Sequence, residues 1–419
     1  MGVINVIKKV SSPQKIYNLT DNLLKTRSIT NAVLDKDKIK SVYQLSQTSI
    51  RLPDIEVLRG YEVVGKFFVY CTDGAVYQCL NGIYYFVVQT GVVPAIIAFT
   101  HQGEEKALIA WNYDEAIVVS DSGYQTISFY SVDKMVLHAG RLFSSLNNQI
   151  SFSSLYDFDD TNISFPPDGT IFIPEQYGYV YSMIGLGDRL YVFTKSAVFY
   201  LSCSGESIDF KLKRLESVRI DALECSICKV NDRILFIENN KIRQLKDDEV
   251  STVDSFLENG AYQIVGNCAS GNGKYFVPIS DENGNKAIFI YDATYQTQGV
   301  TEIEEPIVCD SGFMFNYKKR AVMELIESSN SWGSKYWGTV NVDFNSNRNK
   351  VINRITLNSK KDCKLIITGN FGKIVFNVVS GYNSFDTNLP SREYGFEINA
   401  SFTELEIADF KVYYREMEK

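Results

Sequence analysis

The chain has 419 residues, of which 45% are hydrophobic and 13% are aromatic. This length suffices for two domains, or for one large closed β domain with an appended module, and the high aromatic content favours strands. The formal net charge of −8 disfavours a protein that wraps nucleic acid tightly, because an acidic surface repels phosphates.

The start of the chain differs in charge from the rest. Residues 1–50 hold eight Lys or Arg and three Asp, a charge of +5, so the other 369 residues carry −13. We predict that residues 1–55 form a basic N-terminal arm, either solvated or docked on an acidic neighbour, with a short helix within residues 17–34. Residues 1–6 lack the long apolar run and cleavage site of a secretory signal.

Seven apolar hairpins follow at regular spacing. In each, a Gly or an Asp-Arg pair precedes an apolar strand, and a polar turn leads to a second strand. A repeat of about 40 residues with a hairpin in each is typical of β-propeller blades. The predicted hairpins start near residues 67, 108, 142, 190, 234, 275 and 313.

These repeats predict a β-propeller over residues 56–330, with seven blades as the central value in a range of six to eight. The remaining strands of each blade must lie in the connecting stretches, such as residues 163–173 and 209–218. The pairs Asp73-Gly74, Asn239-Asn240 and Asn283-Gly284 suit type I′ turns, since these residue types tolerate positive φ. One blade cannot bury both of its faces, so the blades must stack around an axis.

Beyond residue 330 the strands become more closely spaced. Apolar alternation predicts strands at 354–359, 363–369, 373–379, 394–400 and 405–415. We therefore predict a separate β-sandwich-like domain over residues 331–419. No stretch of about 18 apolar residues occurs anywhere in the chain, so no membrane-spanning helix is expected.

The search for catalytic or metal-binding groups predicts no catalytic, cofactor or metal site. His101 and His138 are the only histidines, which leaves few groups for a triad or a zinc site. The pair Cys225 and Cys228 forms a CxxC motif, but no second pair follows at zinc-ribbon spacing. We interpret the eight cysteines as reduced, mostly buried thiols of a protein made in a cytoplasm. They are Cys71, Cys79, Cys203, Cys225, Cys228, Cys268, Cys309 and Cys363.

Three further patterns fall short of a functional motif. Residues 157–162 resemble a calcium loop, but Asn162 stands where the motif requires glycine. The acidic clusters 247–249 and 302–305 lie between predicted strands, which is typical of solvated turns. Gly185 and Gly187 precede a strand, and no third glycine completes a dinucleotide-binding loop.

One region resembles a known family. Arg141-Leu142-Phe143 is followed by Ile150-Ser151-Phe152-Ser153, then by a Phe- and Asp-rich loop, and then by a strand pair over residues 183–194. Residues 138–201 thereby resemble the β-propeller nozzle proteins, also called tail hub or DNA-stabilisation proteins, of short-tailed bacteriophages. A second match pairs residues 273–279 with 287–292, whereas residues 295–299 depart from the family pattern, which often has a Trp there.

The resemblance implies a structural virion protein and no enzyme. Such proteins form a ring, usually of six copies, below the portal and adaptor, and they continue the channel through which DNA leaves. The implied partners are further copies of the chain, the portal, the adaptor and other tail proteins, with DNA passing through unbound. The implied location is the virion tail, after assembly in the bacterial cytoplasm.

Two other functions remain open on the sequence alone. A propeller rich in Tyr with a C-terminal β module also suits a receptor-binding or carbohydrate-binding adhesion protein. A propeller glycosidase would require carboxylates that converge on the central axis.

Overall fold

The computed structural model describes residues 14–19, 26–30, 32–35, 38–41, 44–130, 132–155, 163, 165–203, 210–215, 223–254, 257, 262–294, 297–302, 307–308, 314–316, 321–326, 334–339, 341–401 and 405–417. The described residues form strands, with short 3-10 turns at Glu175–Tyr177 and Glu224–Ser226. The predicted all-β class is confirmed. The expected helix within residues 17–34 is wrong where the structure describes this range, because its residues there pair as strands.

The strands are numbered in chain order. They are β1 (Lys15–Asn18), β2 (Thr26–Thr30), β3 (Ala32–Asp35), β4 (Lys38–Ser41), β5 (Gln44–Arg51), β6 (Val57–Val63), β7 (Lys66–Cys71), β8 (Ala75–Leu80), β9 (Ile83–Gln89), β10 (Ala95–His101), β11 (Glu104–Ala110), β12 (Glu115–Ser120), β13 (Gly123–Ser128), β14 (Lys134–His138), β15 (Arg141–Leu146), β16 (Gln149–Phe152), β17 (Thr170–Phe172), β18 (Val180–Leu186), β19 (Arg189–Thr194), β20 (Val198–Ser202), β21 (Leu212–Arg214), β22 (Cys228–Val230), β23 (Arg233–Glu238), β24 (Lys241–Lys246), β25 (Glu249–Asp254), β26 (Tyr262–Ile264), β27 (Ala269–Gly271), β28 (Lys274–Asp281), β29 (Lys286–Asp292), β30 (Thr297–Glu302), β31 (Ile307–Val308), β32 (Met314–Asn316), β33 (Ala321–Ile326), β34 (Ser334–Thr339), β35 (Lys350–Ser359), β36 (Cys363–Gly369), β37 (Gly372–Val378), β38 (Gly381–Ser391), β39 (Tyr394–Ser401) and β40 (Glu406–Glu416).

The chain divides into two compact units. One comprises Leu45–Thr294 and Ile303–Leu325, and the other comprises Met1–Gln44, Tyr295–Glu302 and Ile326–Lys419. We call the first the propeller unit and the second the sandwich unit.

The propeller unit is a ring of seven antiparallel sheets. The first five blades are β6–β9, β10–β13, β14–β17, β18–β21 and β22–β25, each with its strands side by side in chain order. In the sixth, β26 and β27 both pair with β28, which pairs with β29. In six blades, the first five and the seventh, the predicted hairpin is the pair formed by the second and third strands. In the sixth blade it is the pair β28–β29.

An early strand completes the last blade. The seventh sheet runs β31-β32-β33-β5, so its outer strand comes from the chain that precedes the first blade. The innermost strands β31 and β6 also lie side by side, which joins the last blade to the first. Pairing between distant parts of the chain thereby closes the ring.

Side chains on the second strand of a blade point alternately to its two neighbours. Along β19, Leu190 and Val192 pack on the third blade, whereas Tyr191 and Phe193 pack on the fifth. The rings of Phe193 and Phe236 meet edge to face at 5.6 Å. Burying one such side chain contributes roughly 1.5–3 kcal/mol. Both faces of each blade are therefore apolar, which is why these strands appear as continuous hydrophobic runs in the sequence.

The sandwich unit consists of two sheets. One contains β30-β3-β4-β40-β35-β38, with β1 also on β40, and the other runs β2-β34-β39-β36-β37. Between them lie buried aromatic rings: Trp337 meets Phe410 at 6.4 Å, and Phe396 meets Phe410 at 5.8 Å. The predicted β-sandwich-like module is present, and β35, β36, β37, β39 and β40 are its five predicted strands.

The N-terminal segment is placed differently from the expected arm over residues 1–55. Strands β1 to β4 belong to the sandwich unit, where β1 pairs with β40 and β2 pairs with β34. Strand β5 belongs to the seventh blade. The physical reason is that edge strands of both units find partners far away in the sequence, which a local pattern of charge does not reveal. Residues 1–13 lie outside the described residues.

One of the three predicted type I′ turns has the required backbone. Asn239 and Asn240 both have positive φ, at 50° and 57°. At the other two turns only the glycines, Gly74 and Gly284, are in the left-handed region. The Asp281 carboxylate accepts the backbone N–H groups of Asn283 and Asn285 at 2.9 and 2.8 Å, so a side-chain turn replaces the expected one.

Candidate functional site

A cavity of about 620 Å³, which we call the central cavity, lies where the innermost strands of the propeller begin. Its walls are strands β6, β10, β14 and β18, the segment before β22, and residues 267–268 before β27. Its polar and aromatic lining includes Arg59, Tyr61, Tyr181, Glu224 and Asn267. The Arg59 guanidinium lies 5.2 Å from the centre of the Tyr61 ring, and the Tyr61 hydroxyl donates to the Pro94 carbonyl at 2.9 Å. This volume lies within the range of small-molecule sites.

Two carboxylates line this cavity, and each has a structural partner. Glu224 forms an ion pair with Lys134 at 3.4 Å, which joins the third blade to the fifth. The Asp133 carboxylate accepts the backbone N–H of Asn147 at 3.0 Å. Both groups are therefore engaged in holding elements together.

The CxxC motif lies on the same cavity beside a third cysteine. Cys225 and Cys228 are half-buried, Cys268 is buried, and the Cys268 N–H donates to the Cys225 carbonyl at 2.8 Å. Burial raises the pKa of the Cys225 and Cys268 thiols. A thiol with a raised pKa is a poorer nucleophile and metal ligand than an ordinary one.

The two histidines lie on two neighbouring blades, the second and the third. His138 ends β14, and its ring fits against Gly185, where a Cβ atom would lie only 2.3 Å from the His138 Nδ1. Burial lowers the pKa of His138, with a smaller effect of Lys229 in the same direction. His101 ends β10 and is half-buried. Gly185 therefore provides space for His138, which explains one of the two glycines that the sequence singled out.

The acidic cluster 247–249 forms the turn between β24 and β25, in a groove between the fourth and fifth blades. Asp248 accepts hydrogen bonds from the Arg189 guanidinium and from the Tyr191 hydroxyl, the latter at 2.8 Å. The Lys246 amine contacts Asp232 and lowers the pKa of that carboxyl. Acids and bases pair within the groove, so its charges link two blades.

Two candidate groups fall largely outside the described residues. The calcium-like loop at 157–162 does so entirely, and of the cluster 302–305 only Glu302, at the end of β30, is placed. Among the residues that the structure does describe, no group of three or more His, Cys, Asp or Glu side chains is arranged to hold a metal ion. Within the same ranges, no helix has the length and apolarity needed to cross a membrane.

Of the two stretches that resemble the nozzle family, residues 138–201 lie in the third and fourth blades, and residues 273–292 lie in β28 and β29 of the sixth. Arg141-Leu142-Phe143 begins β15, Ile150-Ser151-Phe152 lies in β16, and residues 183–194 span β18 and β19. Phe143, Phe152, Leu190 and Val192 share one buried cluster between the two blades. These motif residues therefore pack in the core between two neighbouring blades.

Sequence reasoning missed an exposed apolar strand on the first blade. On β9, Ile83, Tyr85 and Phe86 are 57%, 46% and 56% exposed, and Leu80 at the end of β8 is 43% exposed. We call these four residues the β9 edge patch. The signal was present in the sequence, because residues 74–103 contain no Asp, Glu, Lys or Arg. An exposed apolar strand of this kind could template pairing with a strand of another chain.

Comparison with known proteins gives structural matches of low sequence identity. No protein-family model matches the chain, and no curated protein matches it. BamB from Moraxella catarrhalis is 8% identical, with a TM-score of 0.42 over 74% of this chain and 95% of its own. BBS1N, solved in complex with ARL6DN, is 8% identical, with a TM-score of 0.46 over 67% and 96%. The AfRom2 CNH domain is 11% identical, with a TM-score of 0.41 over 69% and 98%. The resemblance to nozzle proteins therefore depends on the residues of this chain alone.

Proposed function

We propose that this protein is a structural virion component that forms a ring, of six copies, in the tail or neck of a short-tailed phage particle. The ring extends the DNA-exit channel below the portal and adaptor and retains packaged DNA until ejection. The main support for the proposal is the resemblance of residues 138–201 to nozzle proteins. The motif residues of this stretch lie in two adjoining blades and share one buried cluster. The subunit is assembled in the bacterial cytoplasm and acts in the virion.

The charge of the chain supports this role. A channel that passes DNA must not hold it, because each phosphate contact by Lys or Arg adds to affinity. Six copies at −8 each carry about six times that charge, roughly −48, and so repel the duplex. The proposed role requires no catalysis.

The mass of the native protein tests the proposal. Native mass spectrometry and light scattering over a wide concentration range should give closed rings, alone or with the portal and adaptor of the same particle. Duplex DNA added at physiological salt should not comigrate with the rings. A chain that stays monomeric at high concentration, both alone and with those neck partners, would contradict the proposal.

A second candidate function is recognition of a receptor or carbohydrate. The central cavity of about 620 Å³, with its Tyr61 and Tyr181 rings beside Arg59 and Asn267, is the observation that favours it. A glycan array probed with the isolated protein would support this function if binding were selective and were lost in Tyr181→Ala. Absence of selective binding would leave the structural role as the better account.

A further inference from the structure

We propose that residues 1–13 of one copy add as a β-strand to the free edge of β9 on the next copy, and that this contact links subunits in the ring. The inference builds on the proposed ring function. It names the surface, the segment that covers it and the chemistry of their contact.

Strand β9 is the outer strand of its blade. It pairs with β8 from Ile83 opposite Leu80 to Phe86 opposite Tyr77, and the pairing is regular over these four residues. In the described part of the chain no strand pairs with the other edge of β9. A strand edge presents a row of backbone N–H and C=O groups, which is a template for a strand from another chain.

The chemistry of β9 lacks the usual protection of such an edge. Natural edges are blunted by charged side chains or by proline, but Ile83–Gln89 contains neither. Instead, the β9 edge patch exposes large apolar groups along the strand. A partner that covers this edge would gain backbone hydrogen bonds and would bury apolar surface.

Residues 1–13 have the composition that this edge requires. Five of the eight residues in 3–10 are Val or Ile, namely Val3, Ile4, Val6, Ile7 and Val10. These β-branched residues favour strands. Seven residues suffice to match the seven of β9, a span of about 23 Å at 3.3 Å per residue. The other six of the 13 residues before Gln14 are then left as a tether.

The charges of segment and subunit are complementary. Lys8 and Lys9 are the only charged side chains in residues 1–13, whereas residues 51–419 carry −13. No basic side chain occurs in residues 74–103, so none opposes the two lysines within that stretch. Asp73 lies at the Gln89 end of the strand, where the Gln89 side chain donates to the Asp73 carbonyl at 2.7 Å. Attraction of this kind orients the segment and speeds its encounter.

The contact is head-to-tail, as a closed ring requires. Each copy offers a segment to one neighbour and the β9 edge to the other, which is a heterologous interface. Two variants, each defective in one side of this contact, can then test the proposal. One lacks residues 2–13, and the other carries Ile83→Lys and Tyr85→Lys at exposed positions of β9. Phe172→Lys, at a 66% exposed position on the outer strand β17, is the matched control.

The mixing experiment uses native mass spectrometry. The wild type and Phe172→Lys should form rings, and each defective variant alone should be monomeric. An equimolar mixture of the two should form 1:1 dimers and nothing larger, because only one functional interface remains per pair. A mixture that stays monomeric would overturn the proposal, since the segment would then not act between copies. Rings formed by either defective variant alone would also overturn it.

A synthetic peptide of residues 1–13 separates this inference from the ring function itself. Its affinity for the variant without residues 2–13, measured by fluorescence anisotropy, should fall roughly tenfold or more on adding Ile83→Lys and Tyr85→Lys. Rings in the wild type and in both defective variants, without peptide binding, would refute the docking and leave the ring function intact. Peptide binding at β9 with a wild type that never forms rings would support the docking and refute the ring function.

Discussion

The Arg141 side chain donates from Nη1 to the backbone carbonyl of Ser153 at 2.9 Å, which joins β15 to the segment that follows β16. The Ser153 hydroxyl in turn accepts the backbone N–H of Leu142 at 3.0 Å. Arg141 and Ser153 are both buried, and the guanidinium lies 5.4 Å from the centre of the Phe210 ring. Arg141 and Ser153, the first and last residues of the first nozzle-like strand pair, are thus linked by a hydrogen bond inside the third blade.

Replacing Arg141 by Met should destabilise the propeller. The substitution keeps much of the side-chain volume but leaves the buried Ser153 carbonyl without its donor, which costs about 1–3 kcal/mol. Denaturant unfolding of the purified protein measures the loss. Arg214→Met is the control, because Arg214 lies over the Tyr177 ring at the exposed strand β21, and its change should remain within about 0.5 kcal/mol. Equal effects of the two substitutions would argue against the buried bond.

Gly185→Ala should be destabilising through a single neighbour. A Cβ atom there would approach His138 Nδ1 to 2.3 Å and Cγ to 2.7 Å, so the ring must move at a cost of about 1–3 kcal/mol. The cost should shrink in a His138→Ala background, which a double-mutant cycle measures. Gly372→Ala, where a Cβ atom meets nothing within 4 Å, serves as the control. An unchanged cost without the imidazole would show that another contact is responsible.

The stability of the protein should decrease on mild acidification because of His138. Burial, aided by Lys229 and opposed by Asp188, lowers the pKa of this histidine below its usual value. In the unfolded chain the imidazole takes up its proton near pH 6.5, whereas the folded state does so only at lower pH. The unfolded state then binds more protons, and stability is lost as pH falls from about 7 through 6.5 towards the folded pKa.

The comparison of wild type with His138→Gln isolates this effect. The free energy of unfolding, measured at pH 7.5 and pH 5.5, should fall further in the wild type than in the variant. A decrease of the same size in wild type and His138→Gln would contradict the assignment.

Alkylation of cysteines should follow burial. The Cys71 thiol is buried in the first blade, and burial, with Asp73 nearby, raises its pKa to about 12 from an ordinary 9.0. Its thiolate fraction at pH 8 is therefore about a thousandfold below that in the unfolded chain. Iodoacetamide labelling followed by peptide mass spectrometry should show slow reaction at Cys71 and faster reaction at half-buried Cys79. Similar rates at both positions would contradict the packing of this hairpin.

The sequence predicted what local patterns determine. Strands such as β15, β19 and β23 were found because both of their faces are buried and they appear as apolar runs between turn residues. The five predicted strands of the sandwich were found by their alternation.

Partners that are distant in the sequence were not predicted. Strand β5, with the sequence QLSQTSIR, is polar, and its place in the seventh blade depends on pairing with residues about 270 positions later. Strand β38 was missed because its polar run DTNLPS lacks the apolar alternation that identified the other strands. The central cavity is built from residues of six segments that no spacing brings together, among them Arg59, Met183 and Asn267. The β9 edge patch was readable in principle, because its charge-free surroundings are visible without the fold.

Electron microscopy of the purified assembly tests the central claim most directly. Particles of the full-length protein, alone or bound to the portal and adaptor, should be rings of about six copies with an axial opening that admits a DNA duplex. Each subunit should show a seven-bladed propeller. Images of dispersed single propellers under all of these conditions, or of assemblies without an axial opening, would contradict the proposed role in DNA exit.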